Sequence, residues 1–131
     1  MTRPKKPGGA SSGEFLAEAE MLLEEAGCGI DALDADADDP RPERVNALFR
    51  TVHSLKGVAG MVGFAGIADA AHALEALLDD LRMGRVPPSP VVRGAVREGL
   101  GALTGLVARV AAGEEAPALE TSFANAGEVS P

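Results

Sequence analysis

Apolar residues recur at steps of three and four in four separate stretches of the chain, the period of an amphipathic helix. The first stretch runs through Phe15, Ala19, Leu22, Ala26, Ile30 and Leu33. It predicts one helix to about Leu33, capped at its start by Ser12. Gly27 and Gly29 interrupt it at about 1 kcal/mol each relative to Ala, and are the points where it can bend or break. The segment DADADDPRP then reads as a connecting loop. Pro42 suits the first position of a second helix, whose stripe is Leu48, Val52, Leu55, Ala59 and Val62. Gly60, Gly63 and Gly66 make the stretch after that stripe easy to end and turn. A third helix from about Gly66 carries Ile67, Ala71, Leu74, Leu78 and Leu81 and stops at Gly84. The segment VPPSP separates it from a fourth, with Ser89 as cap, Pro90 as first residue, and Val92, Val96, Gly99, Leu103, Leu106 and Val110 as its stripe.

Each of these helices must bury its stripe against the others, because none is stable alone. Four such helices with short connections imply an all-α fold, an antiparallel up-down four-helix bundle over residues 13–112. Residues 1–12, rich in Pro, Gly and Ser, read as a disordered N-terminal tail, and residues 113–131 lose the periodicity and read as a flexible C-terminal tail. Composition agrees with helices: 46% of the 131 residues are hydrophobic but only 3% are aromatic, so Ala, Leu and Val build the core. Twelve basic residues against twenty acidic ones give a net charge of −8, which excludes nucleic acid as an expected partner. No apolar run approaches the roughly 20 residues needed to cross a bilayer, and MTRPKK is followed by PGGASSG rather than an apolar signal core. No membrane association is therefore expected. The single Cys28 excludes an intrachain disulfide and a cysteine-rich zinc site. A soluble, cytoplasmic protein follows, and nothing in the four stripes demands more than a monomer in isolation.

Candidate chemistry concentrates in HSLKGVAGMVGF, residues 53–64. At 100° per residue His53, Lys56, Gly57 and Gly60 share one arc of the second helix, opposite Leu48, Val52, Leu55, Ala59 and Val62. His53 should thus point to solvent. Two glycines inside a helix lower stability where Ala would serve, unless another protein's active site must approach the imidazole closely. An exposed imidazole is a competent nucleophile near neutral pH, attacking through one ring nitrogen while the other keeps its proton. Glu75, on the flank of the Leu74 stripe, is a candidate acceptor for that proton, with His72 one turn earlier and Asp79 one turn later. Lys56 is suited to offset the charge of a phosphoryl group on His53.

These residues resemble the motif of histidine-containing phosphotransfer (HPt) domains, in particular the N-terminal HPt domain of chemotaxis histidine kinases (CheA type). The matching residues are Phe49-Arg50, His53-Ser54-Leu55-Lys56-Gly57, Gly63-Phe64, the pair His72 and Glu75, and Arg82-Met83-Gly84. The resemblance covers about residues 14–110 and is strong over 49–84. It implies that His53 accepts a phosphoryl group, that Lys56, His72 and Glu75 form a supporting hydrogen-bond network, and that Gly57 gives clearance for a partner. It further implies a phosphocarrier rather than an autonomous enzyme. A histidine kinase catalytic domain would supply ATP and magnesium, and a response-regulator receiver domain would take the phosphoryl group on an aspartate. No cofactor is expected in the chain itself. Val58 and Met61 depart from the family, which often has Gly or Ser at the first position and Thr or Ser at the second. The kinase's nucleotide-binding, dimerisation and coupling domains are absent from the sequence, so an excised N-terminal domain and a free-standing carrier are both expected possibilities.

Plainer readings stand beside these. His53 alone is compatible with an idle surface histidine, and His72 with a partly buried histidine bonded to backbone or to Glu75. Glu75 and Lys56 also fit a solvated, charged face. Two His and a carboxylate suggest a metal, but the i, i+4 pairing is missing. GMVGFAG follows a helix and lacks the leading strand and Gly-Lys-Ser/Thr of a P-loop. The acid that commonly follows the phosphorylated His of a sensor-kinase dimerisation helix is Ser54 here. A helical module that docks on and inhibits a kinase or receiver domain without being phosphorylated is the alternative function, although it has no need of His53 and its glycines. Residues 14–39 hold ten acids and no base, while 41–56 hold Arg41, Arg44, Arg50 and Lys56 against Glu43. The first helix and its loop should be a solvated acidic face, and the surroundings of His53 comparatively basic, which suits an acidic partner pocket.

Overall fold

Four stretches of helical periodicity form four α-helices: α1 (Ser12–Ala35), α2 (Pro42–Val62), α3 (Ala65–Arg82) and α4 (Pro90–Ala111). The computed structural model describes residues 12–36 and 41–114, with side chains from Gly13 onward. The tails expected at either end, and most of the acidic loop, lie outside the described residues. So does the side chain of Ser12, which is the first helical residue rather than the residue before it.

The helix ends follow local chemistry. Pro42 and Pro90 occupy first helical positions, and the Ser89 hydroxyl accepts the backbone N–H of Val92 at 3.3 Å. α2 terminates at Gly63, whose φ of +88° reverses the chain and lets the Phe64 N–H reach the Ala59 carbonyl at 2.9 Å. Gly84, at φ +77°, ends α3 in the same way, with the Arg85 N–H on the Asp80 carbonyl at 2.8 Å. α1 runs unbroken through Gly27 and Gly29. A Cβ at 29 would lie 3.1 Å from Leu48 Cγ, so this glycine marks a close approach of α1 to α2 rather than a hinge.

Each helix packs on its neighbours in sequence, and α4 closes the ring against α1. Ile30 and Leu33 of α1, Leu48 and Val52 of α2, Ile67 and Leu78 of α3, and Val96 and Leu103 of α4 are almost wholly buried at the centre. Phe15 and Phe64 plug one end, their ring centroids 4.8 Å apart. The expected stripes of α1 and α3 are buried throughout. In α2 the buried set begins earlier, at Val45, and Val62 is only half-buried. α4 differs more. Leu100 and Val107 are buried, whereas Val92 and Gly99 are half-buried. Gly99 faces Leu74, whose Cδ1 would stand 3.0 Å from a Cβ there, so the leucine fills the space a side chain would take.

The acidic face of α1 is not simply solvated. Asp34 receives Arg93 Nε at 2.7 Å and also pairs with Arg97, which reaches Asp31 at 2.9 Å. These pairs tie α4 to α1 at the surface, where water and salt screen them. The bundle thereby holds the α2–α3 pair, which carries the candidate site, on a rigid mount.

Candidate phosphotransfer site

α2 buries Leu48, Thr51, Val52, Leu55 and Ala59, and this fixes the direction of everything on its opposite face. His53, Gly57 and Gly60 are exposed there, with Lys56 half-buried at the edge facing α3. A Cβ at Gly57 or Gly60 would meet no atom within 4 Å, so packing inside the bundle does not require either glycine. The surface beside the imidazole is consequently low and open.

α3 brings Glu75 across to this face. Its side chain is only 10% exposed, while the His53 side chain is 60% exposed. The expectation that Glu75 sits at the flank of a stripe understates its burial. One carboxylate oxygen, Oε2, is hydrogen-bonded to His53 Nδ1, and the other, Oε1, accepts from Lys56 Nζ at 2.7 Å. The two oxygens of a single buried carboxylate thus hold two residues of the neighbouring helix. Burial by itself pushes the Glu75 carboxyl up, but the hydrogen bonds from Lys56 and His53 and their charges outweigh it. Its carboxyl therefore titrates below the ordinary glutamate range and is ionised at neutral pH.

An ionised carboxylate at Nδ1 accepts a hydrogen bond and cannot donate one. The neutral imidazole must then carry its proton on Nδ1, which leaves the lone pair on Nε2. Among the described residues Nε2 has no hydrogen-bond partner. The arrangement is an exposed imidazole whose tautomer is set by a buried acid and which is competent to act as a nucleophile through Nε2.

His72 is the least engaged of the expected group. Its side chain is 70% exposed and its Nδ1 lies 3.5 Å from Glu75 Oε1, beyond a good hydrogen bond. It is not the partly buried histidine that one reading allowed, because its side chain lies in solvent on the flank of α3 beside Glu75. Lys56 lies against Glu75, where its charge holds the carboxylate ionised. Of the basic residues near the site, Arg44 is also neutralised, by Asp36 at 2.7 Å. The local positive excess is therefore smaller than the residue count suggests. Among the described residues, no three His, Cys, Asp or Glu side chains are grouped to hold a metal ion.

Two further side chains join the group. The Phe49 ring lies 6.1 Å from the His53 ring, with the planes 12° apart. The Arg82 guanidinium carbon stands 4.3 Å from the Phe49 centroid. Both residues were legible as motif positions, but only the i, i+4 spacing of Phe49 to His53 signals a contact with the imidazole.

The same fold recurs among known proteins. A family model described as the Hpt domain matches residues 12–113. The chain is 35% identical over 107 residues to a chemotaxis protein CheA of Cereibacter sphaeroides, covering 81% of this chain and 16% of that one. It is 43% identical over 76 residues to a chemotaxis protein CheA of Rhizobium meliloti (strain 1021), covering 57% of this chain and 10% of the relative. The chain thus spans a minor part of the curated relatives it matches. A solved CheA phosphotransferase domain from Thermotoga maritima superposes with a TM-score of 0.70 at 28% identity, covering 76% of this chain and 93% of that domain. The family match runs through all four helices, and the chain belongs to the Hpt domain family, as a domain of the CheA type.

Proposed function

We propose that His53 carries a phosphoryl group between an ATP-dependent histidine kinase catalytic domain and an aspartate of a response-regulator receiver domain. The observation that supports this most directly is the Glu75 carboxylate on Nδ1, which leaves Nε2 unprotonated and outward. In the first step the Nε2 lone pair attacks the γ-phosphorus of ATP. An N–P bond forms, the bond from the γ-phosphorus to the bridging oxygen breaks, and ADP departs with that electron pair. The proton stays on Nδ1, so the ring becomes cationic and the buried carboxylate beside it offsets the new charge. In the second step the acceptor carboxylate attacks phosphorus, and His53 leaves as the neutral Nδ1–H imidazole from which it started.

Magnesium and nucleotide belong to the partners in this scheme, and the bundle supplies position. Lys56 orients Glu75 and keeps it ionised. Gly57 leaves room for the partner's active site. His72 is a candidate for later engagement of Glu75 Oε1 from its 3.5 Å distance. The working unit is the bundle of residues 13–112, acting as a monomer in isolation. A kinase partner that uses ATP argues for a cytoplasmic site of action. No described helix is long and apolar enough to cross a membrane. The CheA relatives support a coupling to chemotaxis-like two-component signalling.

Incubation with a CheA-type kinase domain and ATP should give one acid-labile, base-stable phosphoryl group on the chain. His53→Gln should abolish it with helicity unchanged. Labelling of that variant at the wild-type level would refute the assignment.

A further inference from the structure

A single hydrogen bond at Nδ1 does not fix an imidazole that is 60% exposed. It holds one edge of the ring and leaves the other, which carries Nε2, free to swing about the bonded edge. Phosphoryl transfer is sensitive to that motion, because a misplacement of about 1 Å can lower a rate by about a hundredfold. A second restraint is present. Phe49, one turn before His53 on α2, sets its ring nearly parallel to the imidazole, with centroids 6.1 Å apart and planes at 12°. Offset parallel rings fill the space into which the imidazole would rock.

Phe49 is itself held from α3. The Arg82 guanidinium carbon lies 4.3 Å from the centre of the Phe49 ring. Arg82 in turn donates from Nε at 3.1 Å and from Nη2 at 2.6 Å to the same Asp79 oxygen, Oδ1. The other Asp79 oxygen accepts from Arg85 Nη2 at 3.1 Å, and Arg85 Nε bonds Asp80 at 2.8 Å. A cation kept in place by Asp79 near the end of α3 therefore stands over an aromatic ring, and that ring lies beside the His53 imidazole.

We propose that Phe49, held by Arg82 on its Asp79 anchor, is a positioning residue that fixes the plane of the His53 imidazole for phosphoryl transfer. The inference rests on the phosphocarrier reading of His53 for its rate arm, but not for its structural arm. It assigns the C-terminal charge cluster of α3 a role in the reaction without contact with the phosphoryl group. Phe49 also packs at the edge of the core, so stability alone does not distinguish positioning from packing.

The test uses the full chain as wild type, Phe49→Leu, Phe49→Tyr and Arg82→Met. Carbon-13 relaxation at the His53 ring carbons measures ring order, and initial rates with a CheA-type kinase domain, ATP and magnesium give kcat and KM for the chain. Phe49→Leu and Arg82→Met should lower His53 ring order and lower kcat about fivefold with KM unchanged. Phe49→Tyr should restore both. Wild-type ring order in Phe49→Leu, or a kcat loss that Phe49→Tyr does not rescue, would overturn the proposal. A wild-type chain that takes up no phosphoryl would refute the phosphocarrier reading, and ring order would still decide the role of Phe49.

Discussion

Replacing Glu75 by Ala or by Gln separates charge from shape at the buried carboxylate. In the proposed first step the His53 ring gains a positive charge directly against Oε2. A unit charge pair at about 4 Å and an effective dielectric of about 20 interacts by roughly 4 kcal/mol. Lys56 on Oε1 and the 60% exposure of His53 reduce this, so about half is a reasonable share, roughly 2 kcal/mol or a thirtyfold loss of rate. Glu75→Ala should show that loss. Its effect on folding should be smaller, about 1 kcal/mol for the lost hydrogen bonds, since the half-buried Lys56 can turn to water. For a domain of about 100 residues this lowers Tm by about 4–8 °C. Glu75→Gln should be at least as slow as Glu75→Ala. Its carbonyl must serve Lys56, which only donates, and the amide NH2 then faces Nδ1. That amide favours the tautomer with the proton on Nε2, where the attacking lone pair is needed. Initial rates of phosphorylation, melting curves and nitrogen-15 shifts of the His53 ring measure the three quantities. Wild-type rates in both variants would make Glu75 purely structural, and an Nδ1–H tautomer retained in Glu75→Gln would refute the tautomer argument.

Other consequences are simpler. Gly57→Leu should leave the bundle folded with unchanged or raised Tm, because a Cβ there meets no atom within 4 Å and Gly is the poorer helix former. It should weaken transfer to the receiver domain, and normal transfer would remove the clearance role of that glycine. The depressed Glu75 carboxyl makes stability depend on pH with a defined sign. Its stabilisation is fully present above the unfolded-state value for glutamate and is lost as pH falls through the lower folded-state value. The stability gap between wild type and Glu75→Gln should therefore close in acid, below the ordinary glutamate range. A gap that widens in acid would contradict the assigned sign.

Much of the fold could be read from spacing because helix-forming information is local. Proline at a first position, serine at a cap and glycine at a left-handed turn act within four or five residues, and all were placed close to where they stand. The stripes of α1 and α3 were complete for the same reason. α4 was harder, since Gly99 fits the helical period but its place is occupied by Leu74 from another helix. Periodicity identifies a face and carries no information about which neighbour intrudes on it. At the site, His53 and its two glycines stood out because they oppose the apolar stripe and contradict local helix preference.

What the sequence determined by itself is therefore the set of helices, their buried faces and an exposed histidine with a low surface beside it. These follow from the 3.6-residue period and from backbone preferences, neither of which needs a partner. The tertiary structure decided which side chains cross from α3 to α2. It buried Glu75 and gave one oxygen each to His53 and Lys56, left His72 outside, and set Phe49 and Arg82 against the imidazole. Residues 22 positions apart in sequence meet only after two amphipathic helices have packed, and the register of that packing chooses the nitrogen left free to react.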